Sequence, residues 1–192
     1  MSRIGVLSLQ GDFAEHIAAL RRLGVEPVEV RQVSDLDGIE GLIVPGGEST
    51  TISKLMAAYG LLPKIRERAR AGMPVLGTCA GMIVMAREAT DLPYETLGLM
   101  DISVERNAFG RQVDSFETDV QFAGVGRLHA VFIRAPLIQS IGPDVEVLSR
   151  LPDGTIVGAR QGSLVVIAFH PELTSDLRVH RYFLDLVNAD AS

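Results

Sequence analysis

The segment Gly77-Thr78-Cys79-Ala80-Gly81 carries the strongest chemical signal in the chain. It follows a short apolar run that is typical of a buried strand and precedes a run that is typical of a helix. Two glycines flank the thiol at the spacing of the G-x-S-x-G nucleophile elbow, a sharp turn that exposes a nucleophile at the edge of a sheet. The start of the following helix would favour the thiolate, which is the reactive form. The pattern predicts a nucleophilic cysteine, and the alternative is a buried structural cysteine in a glycine-rich turn.

A cysteine nucleophile needs a base, and the base needs a group that orients it. The chain has 4 histidines. His16 and His180 fall in helical patterns and His129 in a strand pattern, so we interpret these three as surface or packing residues. His170 differs because it ends the most apolar strand pattern, Leu164–Phe169, and catalytic groups gather at the carboxyl ends of strands in open α/β sheets.

Glu172 follows His170 by two residues, across Pro171, which stiffens the link. A carboxylate therefore lies near the imidazole without any long-range contact. We predict a triad of Cys79, His170 and Glu172, in which the imidazole is the base and the carboxylate orients it. A plain turn after a strand is the alternative interpretation of the segment that holds His170.

Pro45-Gly46-Gly47-Glu48-Ser49 follows another apolar strand pattern and suits an oxyanion loop. Because glycine has no side chain, its N–H can enter a site, and we predict the N–H groups of Gly47 and Ala80 as oxyanion donors. No Gly-Lys-Ser/Thr follows, so the loop does not fit a phosphate-binding loop. Glycine on both sides lowers the barrier to rotation of the Gly46–Gly47 peptide. We expect the orientation of this peptide to decide whether the Gly47 N–H points at the oxyanion.

The elements that must position these residues alternate between strands and helices in the first half of the chain. The strand patterns there are Arg3–Leu9, Pro27–Val30, Leu42–Val44 and Pro74–Leu76. The helical patterns are Asp12–Leu23, a helix that starts at Ser49 or Thr50, and Gly81–Arg87. Short apolar strands in this alternation predict a parallel sheet that is covered on both faces.

The second half of the chain changes character and is rich in strands. Its strand patterns are Leu97–Val104, Ser115–Val120, Leu128–Ile133, Val145–Leu148, Ile156–Ala159 and Leu164–Phe169. Asp153-Gly154 and Gln161-Gly162 indicate hairpins, and Asp176–Asn188 has the pattern of a final helix. We therefore predict one α/β domain whose sheet is parallel in the first half and mixed toward the C-terminal half.

Composition excludes several classes of function. The chain has 192 residues and a net charge of −6 without a basic cluster, which argues against binding nucleic acid. A single cysteine excludes an internal disulfide and a cysteine-rich zinc site, and it fits a reducing compartment. The apolar run Ile4–Leu9 is too short for a signal peptide, and no later run approaches the roughly 20 residues of a membrane helix. We expect a cytoplasmic protein with no membrane or nucleic-acid partner.

Taken together, the cysteine turn, the glycine loop and the late His-Pro-Glu resemble the class I, or triad-type, glutamine amidotransferases. Further segments resemble the glutaminase subunits of pyridoxal 5'-phosphate synthase in particular, and the resemblance runs from Ile4 to about Leu184. These segments are Leu9–His16, Pro45–Thr51, Arg106–Gln112, Ser115–Glu117 and Phe132–Pro136.

The resemblance implies a flavodoxin-like, three-layer fold with a mostly parallel central sheet, and a single glutaminase domain over residues 1–192. It implies hydrolysis of L-glutamine to L-glutamate and ammonia without a cofactor or a metal. The ammonia would pass to a partner synthase subunit in a hetero-oligomer, and pyridoxal 5'-phosphate would be the product of that complex.

The resemblance also assigns roles to individual residues. It makes Cys79 the nucleophile, His170 the base and Glu172 the orienting group. The residues that it implies for the glutamine pocket are Gly47, Glu48, Ser49, Arg106, Ile133 and Arg134. An arginine and a glutamate suit the α-carboxylate and the α-ammonium of a free amino acid.

Two other readings of the sequence stay open. One is a different cysteine-elbow hydrolase, or the glutaminase subunit of another amidotransferase, such as the one that serves histidine biosynthesis. The other is a non-catalytic interaction module on the same fold. The complete set of Cys79, His170 and Glu172 argues against the second reading, because a module without activity needs none of the three.

Overall fold

The computed structural model describes residues 2–109 and 115–190. Gly110, Arg111 and Gln112, which end one of the sequence motifs, lie outside these residues. Within the described ranges, no helix combines the length and the apolar character that crossing a membrane requires.

The described residues form twelve strands and five α-helices. The strands are β1 (Arg3–Leu7), β2 (Glu26–Val30), β3 (Gly41–Val44), β4 (Val75–Thr78), β5 (Ala86–Ala89), β6 (Met100–Glu105), β7 (Ser115–Phe122), β8 (Gly126–Ile133), β9 (Leu137–Ile141), β10 (Glu146–Arg150), β11 (Ile156–Gln161) and β12 (Leu164–Ile167). The helices are α1 (Phe13–Arg22), α2 (Ser49–Ala58), α3 (Leu61–Arg70), α4 (Ala80–Met85) and α5 (Arg178–Asp190).

The core of the sheet is a run of five parallel strands in the order β2-β1-β3-β4-β12. This is the strand order of the flavodoxin-like fold, so the predicted fold class is confirmed. Antiparallel pairing then continues the sheet through β11, β10, β7 and β8. The sheet is therefore parallel in its first half and mixed toward the C-terminal half, as the sequence predicts.

Helices cover both faces of the parallel strands. Every residue of β3 and β4 is buried, which is why these strands are apolar throughout rather than alternating. The chain moves outward from β1 to β2 through α1, but in the other direction from β3 to β4 through α2 and α3. Since parallel crossovers are right-handed, this reversal puts α1 and the α2–α3 pair on opposite faces. It also opens a crevice at the carboxyl ends of β1 and β3, where ligands bind in such sheets.

Several elements differ from the sequence prediction. The segment between β3 and β4 holds two helices instead of one, because Gly60 adopts a left-handed conformation with a φ of 70° and separates α2 from α3. The helix predicted for Gly81–Arg87 ends at Met85, and the next residues form β5, which pairs with β6. Pairing partners that are distant in sequence thus override a local helical pattern. The sequence also missed β9, which pairs with β6.

Candidate active site

Cys79 occupies a strained turn between β4 and α4. Its φ is 51° and its ψ is −104°, a conformation that residues other than glycine rarely adopt. The flanking glycines make the turn possible: a Cβ atom on Gly77 would lie 2.6 Å from the sulfur of Met85, and one on Gly81 would lie 2.0 Å from the carbonyl oxygen of Val44. The G-x-C-x-G spacing therefore reflects how closely the turn packs against α4 and β3.

The thiol of Cys79 is largely buried, with 6% of the residue exposed. Its Sγ atom lies 3.7 Å from the carbonyl oxygen of Ile133, at the end of β8. The nucleophile predicted from the sequence thus sits against another predicted pocket residue, although 54 positions separate them in the chain.

His170 and Glu172 form a buried pair just beyond the end of β12. Nδ1 of His170 donates a hydrogen bond of 2.6 Å to Oε1 of Glu172, and the two residues are only 3% and 8% exposed. Pro171 begins a single 3₁₀ turn, Pro171–Leu173, which brings the carboxylate back toward the ring. The backbone N–H of His170 donates to the carbonyl of Val131, which ties this turn to β8.

The electrostatic environment favours a protonated His170. Burial alone would lower the pKa of its imidazole, but the Cys79 thiol and the Glu172 carboxylate outweigh burial and raise the pKa to about 10. Nε2 of His170 makes no hydrogen bond of normal geometry to the described residues, so its contact with Cys79 is looser than its contact with Glu172. A proton on the imidazole stabilises a thiolate beside it, which is the activated form of a cysteine nucleophile.

Asp12 places a second carboxylate beside His170, which the sequence did not predict. Its Oδ2 atom lies 3.4 Å from Nδ1 of His170. Burial raises the pKa of Asp12, whereas the charge of His170 opposes that rise. Asp12, His170 and Glu172 could each turn a ligand atom toward a metal ion, since these atoms lie within 4.8 Å of one another. Because the short hydrogen bond to Glu172 already uses Nδ1, the set suits an imidazolium between carboxylates better than a metal.

The glycine loop after β3 packs directly against the histidine. A Cβ atom on Gly46 would lie 2.6 Å from Cε1 of His170, and one on Gly47 would lie 2.5 Å from Oε1 of Gln10. The carbonyl of Gly46 accepts a 2.9 Å hydrogen bond from the N–H of Asp12. The Gly46–Gly47 peptide is trans, so its N–H, on Gly47, points in the opposite direction to its carbonyl and therefore away from the N–H of Asp12.

A cavity of about 320 Å³ lies in front of Cys79 and His170. All the residues that the sequence predicts for the oxyanion site and the glutamine pocket line it: Gly47, Glu48, Ser49, Ala80, Arg106, Ile133 and Arg134. The sequence missed four others, which are Asp12, Ile83, Asn107 and Leu173.

A larger cavity, of about 770 Å³, lies beside Pro74 and Ser163, which precede β4 and β12. It shares no residue with the first cavity and lies at the amino ends of β4 and β12, whereas Cys79 lies at the carboxyl end of β4.

Charged groups of both signs line the smaller cavity. Burial alone would raise the pKa of Glu48, but hydrogen bonds from Thr51 and Thr50 hold it below its usual value, and its carboxylate caps the start of α2. The guanidinium of Arg106 lies 3.7 Å from this carboxylate and also donates to Thr50. Arg134 has a φ of 45°, and within residues 2–109 and 115–190 no carboxylate pairs with it.

The remaining histidines divide into two kinds. His129 is an exposed residue of β8 between Glu117 and Asp119, which agrees with its interpretation as a surface residue. His16 and His180 are completely buried and contact each other. His16 lies 3.5 Å from the carboxylate of Glu172 rather than in an apolar core, and helical periodicity gives no signal of such a position.

The chain belongs to the SNO glutamine amidotransferase family, which it matches over residues 6–189. It is 56% identical to the pyridoxal 5'-phosphate synthase subunit PdxT of Moorella thermoacetica over 187 residues, covering 96% of this chain and 99% of the relative. It is also 56% identical to the PdxT subunit of Thermus thermophilus over 185 residues, covering 95% and 96%.

Solved structures agree with this family. A crystal structure of a glutamine amidotransferase matches with a TM-score of 0.93 and 52% identity, covering 96% of this chain and 98% of that one. PurLQS of Thermotoga maritima matches with a TM-score of 0.69 at 18% identity, covering 96% and 98%, which supports the fold alone.

We predict that a chloroketone analogue of glutamine labels this protein once, at Cys79, because the chain has 1 cysteine and it faces the cavity. Peptide mapping by mass spectrometry measures the site of labelling, and excess glutamine should slow the reaction by occupying the cavity. Cys79→Ala is the control and should take no label. Labelling at another residue, or a rate indifferent to glutamine, would contradict the assignment of the cavity.

Proposed function

We propose that residues 1–192 form a single glutaminase domain that hydrolyses L-glutamine to L-glutamate and ammonia through Cys79, His170 and Glu172. The ammonia then passes to a synthase subunit that makes pyridoxal 5'-phosphate. The observation that carries the proposal is that one cavity is lined by Cys79, by His170 of the buried His170–Glu172 pair and by Gly47 of the glycine loop. Family membership and the names of relatives that are 56% identical support it.

Catalysis begins with attack of the thiolate of Cys79 on the side-chain amide carbon of glutamine. The carbonyl π electrons move to oxygen and form an oxyanion, to which the N–H groups of Gly47 and Ala80 donate. The proton of His170 then passes to the amide nitrogen, the carbon–nitrogen bond breaks, and ammonia leaves. A γ-glutamyl thioester on Cys79 remains.

The second half of the reaction returns the enzyme to its starting state. Neutral His170 removes a proton from a water molecule as the water attacks the thioester carbon. The carbon–sulfur bond then breaks, glutamate forms, and the thiolate–imidazolium pair is restored. Glu172 stays ionised and stabilises the imidazolium form of His170 in each half of the cycle.

The polar wall of the cavity recognises the free amino acid. The α-carboxylate needs a cation, which Arg106 or Arg134 supplies, and the α-ammonium needs an anion, which Glu48 supplies. Ser49 and Ile133 also line the cavity, and the carbonyl of Ile133 lies against the thiol of Cys79. Pyridoxal 5'-phosphate is a product of the complex in this proposal and no cofactor of this chain.

The alternatives left open by the sequence receive less support. A cysteine hydrolase of other specificity does not account for 56% identity to subunits of pyridoxal 5'-phosphate synthase over almost the whole chain. The similarity to PurLQS at 18% identity concerns the fold only. A non-catalytic module does not account for the buried His170–Glu172 pair beside the thiol. Burying two ionisable groups costs free energy, and such groups cluster at functional sites.

The Gly46–Gly47 peptide is the proposed point of control. Its carbonyl is held by the N–H of Asp12, and the next N–H, of Glu48, donates a 2.7 Å hydrogen bond to the side chain of Gln10. We propose that the peptide of the isolated chain rotates out of this orientation, and that a partner bound to the Gln10–Asp12 turn holds the peptide in it. Rotation of the peptide would withdraw the Gly47 donor and aim a carbonyl into the site.

Glu172→Gln should lower kcat by roughly 10- to 1000-fold, because the amide keeps the size of the side chain but not the charge that stabilises the imidazolium of His170. The analogous change in a serine protease costs about 10⁴-fold, and a thiol, which is intrinsically a stronger acid than a serine hydroxyl, needs less help from its base. Steady-state release of glutamate measures the effect. Activity within about twofold of the parent would mean that another group, such as Asp12, orients His170.

Addition of the synthase subunit should raise kcat by roughly 100- to 1000-fold and change KM much less. The donor gained at Gly47 acts on the oxyanion of the transition state, and loss of one such donor costs a factor of this size. Steady-state kinetics of glutamine hydrolysis with and without the subunit measure both constants. Cys79→Ala is the control and should bind glutamine without hydrolysing it.

Two outcomes would count against these proposals. Glutamine hydrolysis by Cys79→Ala would refute the proposed mechanism. Full activity of the isolated chain, or a partner effect confined to KM, would refute control through the loop while leaving the glutaminase assignment intact.

A further inference from the structure

His16 and His180 are two buried histidines that the proposed reaction does not use. His16 lies in α1 and His180 in α5, and neither has any exposed surface. Nδ1 of His16 is 2.9 Å from Nε2 of His180 across a sequence separation of 164 residues. Burying two ionisable rings is costly unless they are hydrogen-bonded, so the pair calls for a reason other than packing.

His16 of this pair contacts the triad. Nε2 of His16 lies 3.1 Å from Oγ1 of Thr78, the residue before Cys79, and 3.5 Å from Oε2 of Glu172. The other carboxylate oxygen, Oε1, accepts the hydrogen bond from His170. Oε2 accepts no hydrogen bond of normal geometry from the described part of the chain. Nε2 of His16 is the ring nitrogen that faces it, at a distance slightly longer than a normal hydrogen bond.

Both rings are neutral at pH 7. Burial holds the pKa of His16 well below its ordinary value, and a positive charge on His180 or His170 lowers it further. Burial also lowers the pKa of His180 to about 4. A neutral imidazole has one N–H donor and one acceptor nitrogen. The 2.9 Å contact therefore uses the donor of one ring and the acceptor of the other.

The carboxylate decides the direction of this hydrogen bond. An ionised Glu172 is an acceptor only, so a lone pair on Nε2 of His16 would face it unfavourably. The proton of His16 therefore belongs on Nε2, shared between Thr78 and Glu172, and Nδ1 accepts from Nε2–H of His180. The unpaired Nδ1 of His180 is then an acceptor rather than a stranded donor.

We propose that His16, oriented by His180, is a positioning residue that holds Oε2 of Glu172 in its ionised form and fixes the carboxylate against His170. This inference rests on the proposed triad. The groups that face Glu172 are then His170 on Oε1, His16 on Oε2 and Asp12 nearby. Burial raises the pKa of Glu172, and the hydrogen bond and charge of His170 oppose that rise. Without the N–H of His16, the buried carboxylate protonates more readily and no longer stabilises the imidazolium beside Cys79.

The rate of alkylation of Cys79 by iodoacetamide as a function of pH tests this on the full chain, without glutamine or a partner. His16→Leu should shift the midpoint of the profile to higher pH and slow alkylation at pH 6 by about tenfold. His16→Gln keeps an N–H near the Nε2 position and should stay within about threefold of the parent. His129→Gln changes an exposed histidine that pairs with Glu117 and Asp119 and not with the triad, and it should have no effect.

The profile of His170→Ala separates this inference from the proposed function. If His170→Ala alters the profile and His16→Leu does not, the triad stands and the role of His16 is refuted. If neither alters it, both are refuted. Equal losses in His16→Leu and His16→Gln would show a merely structural role and would also refute the inference.

A measurement on the unmodified protein decides the matter if the leucine variant does not fold. The ¹⁵N chemical shifts of the histidine rings at neutral pH identify which nitrogen carries the proton. The proposal requires the Nε2–H form of both His16 and His180 between pH 6 and pH 8. An Nδ1–H form of His16, or a charged His16 ring, would overturn it.

Discussion

The strained turn at Cys79 is the constraint on which the rest of the site depends. A positive φ at a non-glycine residue persists only where the surroundings hold it, and here the hold comes from Gly81, which packs against the carbonyl of Val44 at the end of β3. The same contact brings the start of α4 next to the glycine loop that follows β3. The nucleophile and the proposed oxyanion loop are therefore fixed relative to each other by one backbone contact.

Parallel strand order does the rest of the positioning. β12 pairs with β4 and β3 pairs with β4 on its other side, so His170 and the Gly46–Gly47 peptide approach Cys79 from the two neighbouring strands. The turn after β1 adds Gln10 and Asp12 from one strand further along. Residues that follow four different strands thus meet at one cavity, which is the general reason why open α/β sheets bind ligands at the carboxyl ends of their strands.

Much of this arrangement could be predicted from the sequence because its signals are local. The glycine spacing around Cys79, the two-residue step from His170 to Glu172 and the short apolar strands each lie within a few residues. The rest could not be predicted, because it depends on contacts between distant segments. The approach of His16 to His180 joins opposite ends of the chain, the carboxylate of Asp12 reaches His170 only through sheet order, and β5 forms only because β6 is available to pair with it.

The central claim is that Cys79 carries the glutamyl group during turnover. Acid quenching of the chain while it turns over glutamine with the synthase subunit, followed by peptide mass spectrometry, tests this most directly. We expect a γ-glutamyl adduct on the peptide that contains Cys79, present while glutamine lasts, lost when it is consumed and absent from Cys79→Ala. Continued release of ammonia with no adduct at Cys79, or with an adduct at another residue, would contradict the account.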